Sequence, residues 1–155
     1  MMELRFNILN PHVDKFVVCE ARFSHSGKEK DIKFSKKNFP QFEHKIIHLI
    51  VDKEPDDIVR KKSLSTSDLR LNSVSRIRHQ RNFIGNSLMD YAADDYVIYS
   101  DNDEIPNLEN FDLKKNKNKI IIFNQKLFYY KFDLLLPNIN WYGSKACKLK
   151  NLKNI

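Results

Sequence analysis

The sequence predicts a single α/β domain with a largely parallel sheet flanked by helices. The chain has 155 residues, of which 41% are hydrophobic and 12% aromatic, a composition typical of one globular domain. Apolar runs of strand length, rich in β-branched residues, alternate along the chain with segments of helical period. Buried apolar strands that alternate with helices favour parallel pairing.

The expected elements follow from these patterns in chain order. The predicted strands are 15–21, 45–51, 96–100, 119–123 and 126–132, and the predicted helices are 3–9, 35–44 and 71–92. The longest helix is predicted from apolar residues that recur at intervals of three and four: Leu71, Val74, Ile77, Ile84, Leu88 and Tyr91. The segments 23–33 and 52–68 are expected to be loops. A short helix is expected to begin the polar segment 106–118, and the tail 141–155 is weakly patterned.

Charge and cysteine usage limit the function classes. The net charge is +7, but the excess of lysine is spread over the chain and forms no basic stripe interleaved with aromatic residues. We therefore expect no nucleic-acid partner. Cys19 and Cys147 stand in no metal-ligand or redox spacing, which indicates a reducing, cytoplasmic compartment. No apolar run is long enough for a signal peptide or a transmembrane segment.

An acidic cluster follows the third expected strand. Asp101, Asp103 and Glu104 come directly after the apolar run 96–100. If the chain stays extended, Asp101 and Asp103 point to the same side, where their charges repel unless a cation neutralises them. Carboxylate oxygens suit Mg²⁺ or Mn²⁺, which bridges protein carboxylates to a substrate diphosphate. The cluster therefore predicts a metal and diphosphate site, with an ordinary acidic turn as the alternative.

Two other charged side chains are expected near such a ligand. Arg81 lies at the centre of the apolar stripe of the longest helix, so its guanidinium should point toward the core. A buried guanidinium needs an anionic partner, either a carboxylate such as Asp101 or Glu104 or a ligand phosphate. Glu20 ends the first strand, where an acid accepts hydrogen bonds from a ribose or caps a loop.

Other side chains give weaker signals. His25 and Lys28 follow the first strand and either reach a phosphate or stay on the surface. Trp141 and Tyr142 form an aromatic pair that predicts core packing, with a sugar-stacking platform as the alternative. The sequence has no G-x-G-x-x-G or Walker loop, no G-x-S-x-G elbow and no H-E-x-x-H motif. Nucleotide binding through a glycine nest and the corresponding hydrolase chemistries are therefore not expected.

Six short stretches are specific when taken together. They are 13–21 (VDKFVVCEA), 24–28 (SHSGK), 79–82 (HQRN), 100–106 (SDNDEIP), 128–130 (FYY) and 141–144 (WYGS). In this order and spacing the chain resembles glycosyltransferase family 17 along nearly its whole length. The motif S-D-x-D-E-I-P, following a Q-R-N helix at this distance, is the most specific part of the resemblance.

The resemblance implies a GT-A type fold and a chemistry. It implies transfer of a sugar, N-acetylglucosamine in characterised relatives, from a UDP-sugar to a hydroxyl of a glycan acceptor. It also implies a Mn²⁺ or Mg²⁺ site formed by Asp101 and Asp103, in which Asp103 binds the ion directly and Asp101 contacts the ribose or a metal-bound water. Gln80, Arg81 and Asn82 match the family's Q-R-N, and we expect them at the donor together with Glu20.

The resemblance also predicts an incomplete domain. Family members have a further strand before residues 4–6 and continue beyond Ile155, through a segment expected to hold acceptor contacts and a catalytic base. No residue of this chain matches that base. The alternatives are a nucleotide-binding remnant without transfer activity and a basic nucleic-acid-binding module. A peripheral membrane location is the alternative to the cytoplasm, because eukaryotic relatives are anchored in the Golgi membrane.

Overall fold

The fold comes from a computed structural model that describes residues 1–116, 120–131 and 133–152. Its helices and strands are α1 (Met2–Leu9), β1 (Phe16–Ala21), β2 (Ile46–Val51), α2 (Thr66–Phe83), β3 (Tyr96–Tyr99), β4 (Ile121–Gln125) and β5 (Trp141–Lys148). They form two compact units. The parallel unit is residues 14–90, and the antiparallel unit is residues 1–13 with the described residues from 91 onward. That the chain is one partial glycosyltransferase domain stays a prediction.

The parallel unit contains β1 and β2, which pair in parallel over their full lengths. This pairing confirms the expectation for these two strands, which are nearly continuous apolar runs. The connection between them contains two short 3₁₀ helices, Lys36–Asn38 and Pro40–Lys45, where the sequence predicted one helix. The core of the unit is the buried set Ala21, Phe23 and Val51, against which Cys19 and Phe83 pack.

Helix α2 begins five residues earlier than predicted, at Thr66, because a capping box precedes it. The Ser65 side chain accepts from the backbone N–H of Asp68, and the Asp68 carboxylate accepts from the backbone N–H of Ser65. The helix ends at Phe83 and passes into a 3₁₀ turn, Ile84–Ser87. Gly85 follows the end of the helix, where a poor helix former limits its extension.

The buried face of α2 is not the apolar stripe that the sequence suggested. Leu71 and Val74 are 59% and 54% exposed, whereas the buried residues are Asn72, Ser75 and Arg76. Each of these polar side chains is hydrogen-bonded to the segment that precedes the helix or to the loop after β1. The helix therefore docks in its unit through satisfied polar contacts, which an apolar period does not detect.

The antiparallel unit contains a three-stranded sheet in the order β3-β5-β4, with both pairings antiparallel. The prediction of a largely parallel sheet is therefore wrong for this unit. Its central strand, β5, lies in the tail that seemed weakly patterned. The buried apolar side chains of the unit come from α1, the sheet and the segment after β3: Phe6, Leu9, Leu108, Ile121 and Ala146.

The last two predicted strands are only partly present. Strand β4 covers Ile121–Gln125, whereas Lys119 lies outside the described residues. The predicted strand 126–132 is instead one arm of a hairpin with a single bridge between Phe128 and Leu135, and Phe132 lies outside the described residues. None of the helices in the described part of the chain has the length and apolar character needed to cross a membrane.

Candidate functional site

The two predicted metal ligands lie in a tight turn after β3. The backbone N–H of Glu104 donates to the carbonyl oxygen of Asp101 at 3.1 Å, which closes residues 101–104 into what we call the acidic turn. The extended backbone expected for this segment is therefore wrong. Asp101 and Asp103 are both exposed, and the Tyr99 hydroxyl donates to Asp101 Oδ1 at 3.4 Å.

Glu104 differs from the two aspartates because its carboxylate is bonded within the protein. Its Oε2 accepts the backbone N–H of Asp101 at 3.1 Å, and its Oε1 accepts the indole N–H of Trp141 at 2.9 Å. Glu104 thus ties the acidic turn to the first residue of β5. Its role is to fix the turn rather than to offer a third exposed carboxylate.

Arg5 of α1 holds the backbone of the same turn. Its Nη1 donates to the carbonyl oxygen of Glu104 at 2.5 Å and to that of Asp101 at 3.3 Å. Burial lowers the pKa of the Arg5 guanidinium, while the negative charges of Glu104 and Asp103 act in the opposite direction. Arginine stays protonated nonetheless. The sequence did not indicate this contact, because its partners lie almost a hundred residues away.

A buried serine on β5 completes the support of the turn. Ser144 accepts a hydrogen bond from the Ser100 hydroxyl at 2.7 Å and donates to the carbonyl oxygen of Glu104 at 3.4 Å. Its backbone N–H donates to Gln125 Oε1 at 2.8 Å. Because Ser144 is fully buried, these bonds stabilise the geometry of the turn in a setting where water does not compete.

Gly143 is required where these groups meet. A Cβ at this position would lie 2.9 Å from Glu104 Cδ, 2.9 Å from Trp141 Nε1, and closer still to Gln125 Oε1. All three distances are below van der Waals contact. The absence of a side chain at Gly143 therefore lets Glu104, Trp141 and Gln125 converge beside the acidic turn.

Asp101 and Asp103 are the two exposed carboxylates of the acidic turn that could hold a metal ion. In the described parts of the chain, no three His, Cys, Asp or Glu side chains are placed to hold one ion. Mg²⁺-type ions in nucleotide enzymes are commonly bound by one or two carboxylates, with substrate phosphates and water supplying the other oxygens. Asp101 and Asp103 provide two such carboxylates on one exposed turn.

In the parallel unit, Glu20 caps a loop. Its carboxylate accepts backbone N–H groups of Phe34 at 3.0 Å and of Lys33 at 3.2 Å, and the Lys30 ammonium at 3.3 Å. Burial acts to raise the pKa of Glu20, but these donors outweigh it and leave the pKa below its ordinary value. Of the two predicted roles, the structure contains the contacts of a loop cap, and the ribose contact stays a prediction.

Gln80 fastens α2 to β1 next to Glu20. Its Nε2 donates to the carbonyl oxygen of Cys19 at 2.9 Å, and the Cys19 thiol donates to the carbonyl oxygen of Gln80 at 3.4 Å. Burial raises the pKa of the Cys19 thiol to about 11, so this cysteine is an unreactive packing residue. The Q-R-N segment is thereby held close to the carboxyl end of β1.

The other two residues of the Q-R-N segment lie in the last turn of α2. Arg81 is half-buried and Asn82 is exposed. The buried cation that the sequence expected at Arg81 is instead Arg76, five residues earlier. The error has the same cause as the misjudged helix face, since the position of Arg81 was deduced from an apolar stripe whose first residues, Leu71 and Val74, are exposed.

Arg76 supports the hairpin that follows β1. Its Nε bonds Glu54 at 2.5 Å, and its Nη1 donates to the carbonyl oxygen of His25 at 3.1 Å. Gly27, at φ 85°, lies so close to the guanidinium that a Cβ would collide with it. His25 and Lys28 are exposed at the tip of this hairpin, so a phosphate contact by either of them stays a prediction.

Comparisons with known proteins confirm the family that the sequence resembles. The sequence model of glycosyltransferase family 17 matches residues 1–151. The chain is 31% identical over 120 residues to the human and Rattus norvegicus beta-1,4-mannosyl-glycoprotein 4-beta-N-acetylglucosaminyltransferases. Each match covers 68% of this chain and 19% of the relative, so the chain spans about a fifth of the length of these proteins. No solved structure matches significantly. Because the family match covers nearly every residue, this chain belongs to glycosyltransferase family 17.

Proposed function

We propose that the chain forms the donor-binding part of an enzyme that transfers N-acetylglucosamine from a UDP-sugar to a hydroxyl of a glycan. Family membership and the names of the relatives support this reaction class. The relatives are named for mannosyl-glycoprotein substrates, and we extend that acceptor class to this chain. The observation that carries the proposal is the acidic turn, where two exposed carboxylates sit on a backbone fixed by Arg5 and Glu104.

The proposed reaction is a displacement at the anomeric carbon of the donor sugar. The acceptor hydroxyl oxygen bonds to that carbon and releases its proton to water, the bond from the carbon to the diphosphate breaks, and UDP leaves with the electron pair. A Mn²⁺ or Mg²⁺ ion, when bound, offsets the negative charge that builds up on the departing diphosphate. In this proposal Asp103 and Asp101 hold the ion, with Asp103 as the direct ligand.

The surrounding residues hold the backbone that carries these two carboxylates. Arg5 bonds two carbonyl oxygens of the acidic turn, Glu104 bonds its first N–H, and Ser144 bonds its last carbonyl oxygen. A turn that is already ordered loses less conformational entropy when it binds a charged ligand. The Arg5 charge also reduces the mutual repulsion of the acidic side chains, which matters most when no cation is present.

The parallel unit is proposed to support the nucleotide. In parallel sheets, ligands bind outside the carboxyl ends of the strands, and Glu20 is the residue before the last of β1. In this proposal Glu20 orders loop residues 30–34, and Gln80 attaches α2 to β1. Arg81 and Asn82 contact the donor. Arg81 suits a phosphate because a guanidinium grips phosphate oxygens with two parallel hydrogen bonds.

A binding and transfer experiment with one aspartate variant tests the proposal. We expect the wild-type chain to bind UDP in calorimetry when Mn²⁺ is present, and Asp103→Ala to lose this binding. Asp133→Ala, another exposed aspartate of the same unit, serves as the matched control and should bind like the wild type. Unchanged UDP binding by Asp103→Ala would remove the metal-site assignment.

The same samples separate binding from transfer. Labelled UDP-N-acetylglucosamine is incubated with a soluble β-1,4-mannosyl oligosaccharide, and the labelled product is measured. Incorporation by the wild type but not by Asp103→Ala is the expected result. Metal-dependent UDP binding without any incorporation would contradict transfer by this chain and identify it as a nucleotide-binding protein.

A further inference from the structure

Trp141 is an exposed aromatic side chain beside the acidic turn. It is the only tryptophan of the chain and the first residue of β5. The core-packing role that the sequence favoured for Trp141 and Tyr142 is wrong, because the two residues are 43% and 62% exposed. The indole is therefore partly open to solvent and available to a ligand.

The indole is held in one orientation. Its N–H donates to Glu104 Oε1 at 2.9 Å, and the other oxygen of the same carboxylate accepts the backbone N–H of Asp101. Gly143 leaves the space that the indole edge occupies, since a Cβ there would lie 2.9 Å from Trp141 Nε1. One carboxylate therefore links the ring directly to the turn that carries Asp101 and Asp103.

We propose that the indole face of Trp141 is a binding platform for a pyranose ring. One face of a pyranose carries C–H groups and is apolar, while its rim carries hydroxyls that need polar partners. An aromatic face beside a few fixed polar groups is the usual composition of a small-ligand site. Here the ring supplies the apolar contact, and the Glu104 carboxylate that holds the indole N–H is the fixed polar group beside it. The assignment rests on the proposed function, because it places a sugar of the donor or of the acceptor beside the proposed metal site.

The fixed orientation of the indole favours Trp141 over Tyr142 as the platform. Tyr142 follows Trp141 in the same strand, and alternation along a strand points the two side chains to opposite faces of the sheet. An aromatic side chain whose orientation is already fixed loses little rotamer freedom on binding. The platform is thus Trp141 alone. Tyr142, an exposed aromatic residue of the same strand, is the control.

The sugar can be that of the donor or that of the acceptor, and tryptophan fluorescence distinguishes them. Because Trp141 is the sole tryptophan, selective excitation of indole reports only this site. Three additions are compared in the presence of Mn²⁺: UDP, UDP-N-acetylglucosamine, and UDP followed by a β-1,4-mannosyl oligosaccharide. A change in emission with UDP-N-acetylglucosamine beyond that with UDP identifies the donor sugar. A change that appears only with the oligosaccharide identifies the acceptor sugar.

Substitutions of Trp141 measure how much the indole contributes to the affinity for the sugar. We expect Trp141→Ala to weaken binding of the sugar-bearing probe about tenfold more than it weakens binding of UDP, a factor that corresponds to about 1.4 kcal/mol. Trp141→Phe should fall between, because it keeps an aromatic face but loses the N–H to Glu104. Tyr142→Ala should bind every probe like the wild type. Circular dichroism confirms that each variant is folded, and the wild-type fluorescence result stands even if Trp141→Ala is not.

The outcomes of these experiments distinguish failure of the Trp141 platform from failure of the proposed function. If wild-type chain binds UDP with Mn²⁺, but neither sugar-bearing probe alters the emission and Trp141→Ala binds both probes normally, the platform is overturned and the metal site stands. If the oligosaccharide binds through Trp141 but UDP does not bind at all, the platform stands and the donor chemistry is overturned. If no probe binds, both are overturned.

Discussion

Gly143 leaves a space beside the acidic turn that any other residue would fill. In Gly143→Ala, the new Cβ meets the side-chain ends of Gln125, Glu104 and Trp141. The first two are flexible and can move, but moving them breaks the bond from the Ser144 N–H to Gln125 and the bond from Trp141 to Glu104. The substitution therefore loosens the support of the turn without touching Asp101 or Asp103.

The size of the effect follows from those two bonds. A neutral hydrogen bond contributes about 1 kcal/mol to the free energy of unfolding, and one to a charged group about 1.5 kcal/mol or more. Loss of both predicts a destabilisation of about 2 to 3 kcal/mol in urea unfolding. The Trp141 emission should also shift toward that of a fully solvated indole.

Gly85→Ala is the matched control for this experiment. A Cβ at position 85 would have no neighbouring atom within 4 Å, so an alanine side chain there makes no close contact. We expect a change between zero and a stabilisation of about 1 kcal/mol, since alanine restricts the unfolded chain more than glycine does. If Gly143→Ala proves as stable as Gly85→Ala and keeps the wild-type emission, the packing described around the acidic turn is incorrect.

Two further predictions concern the parallel unit. Arg76→Met removes the buried partner of Glu54, which is itself partly exposed and keeps Arg60 nearby, and should cost about 2 kcal/mol in urea unfolding. Arg78→Met breaks an exposed pair and should cost under about 1 kcal/mol. Equal costs would contradict the assignment of Arg76 as the support of the hairpin. The lowered pKa of Glu20 means that its charge contributes stability above its unfolded pKa of about 4.3, and that this contribution is lost as the pH falls through the lower folded value. The stability difference between wild type and Glu20→Gln should thus be constant from pH 7 to about pH 5 and shrink on further acidification; a difference that grows on acidification would refute the capping role.

The sequence predicted the features that depend on local patterns. Strands β1 and β2 were found because their apolar β-branched runs are bounded by charged residues. The acidic cluster was located because three carboxylates directly follow an apolar strand, although its tight turn was only the alternative to an extended segment. The family resemblance was confirmed by the comparisons. These features need no knowledge of distant parts of the chain.

The features that were missed depend on contacts between distant residues. Arg5 reaches the acidic turn from α1, at a separation that no local pattern records. Helix α2 packs through Asn72, Ser75 and Arg76, so its apolar period indicated the wrong face. Strand β5 contains glycine, serine and lysine, which weakens its strand signal, yet it is the centre of its sheet.

The central claim is that the acidic turn binds a cation which in turn binds a pyrophosphate. The most direct test is the UDP dissociation constant of the full chain, measured with Mn²⁺ and again with a chelator, in wild type and in Asp103→Ala. We predict that Mn²⁺ tightens UDP binding to the wild type about a hundredfold, with UDP tightening Mn²⁺ binding by the same factor, as linkage requires. In Asp103→Ala that factor should fall close to one. A wild-type chain that binds UDP equally well with and without the metal would contradict the claim.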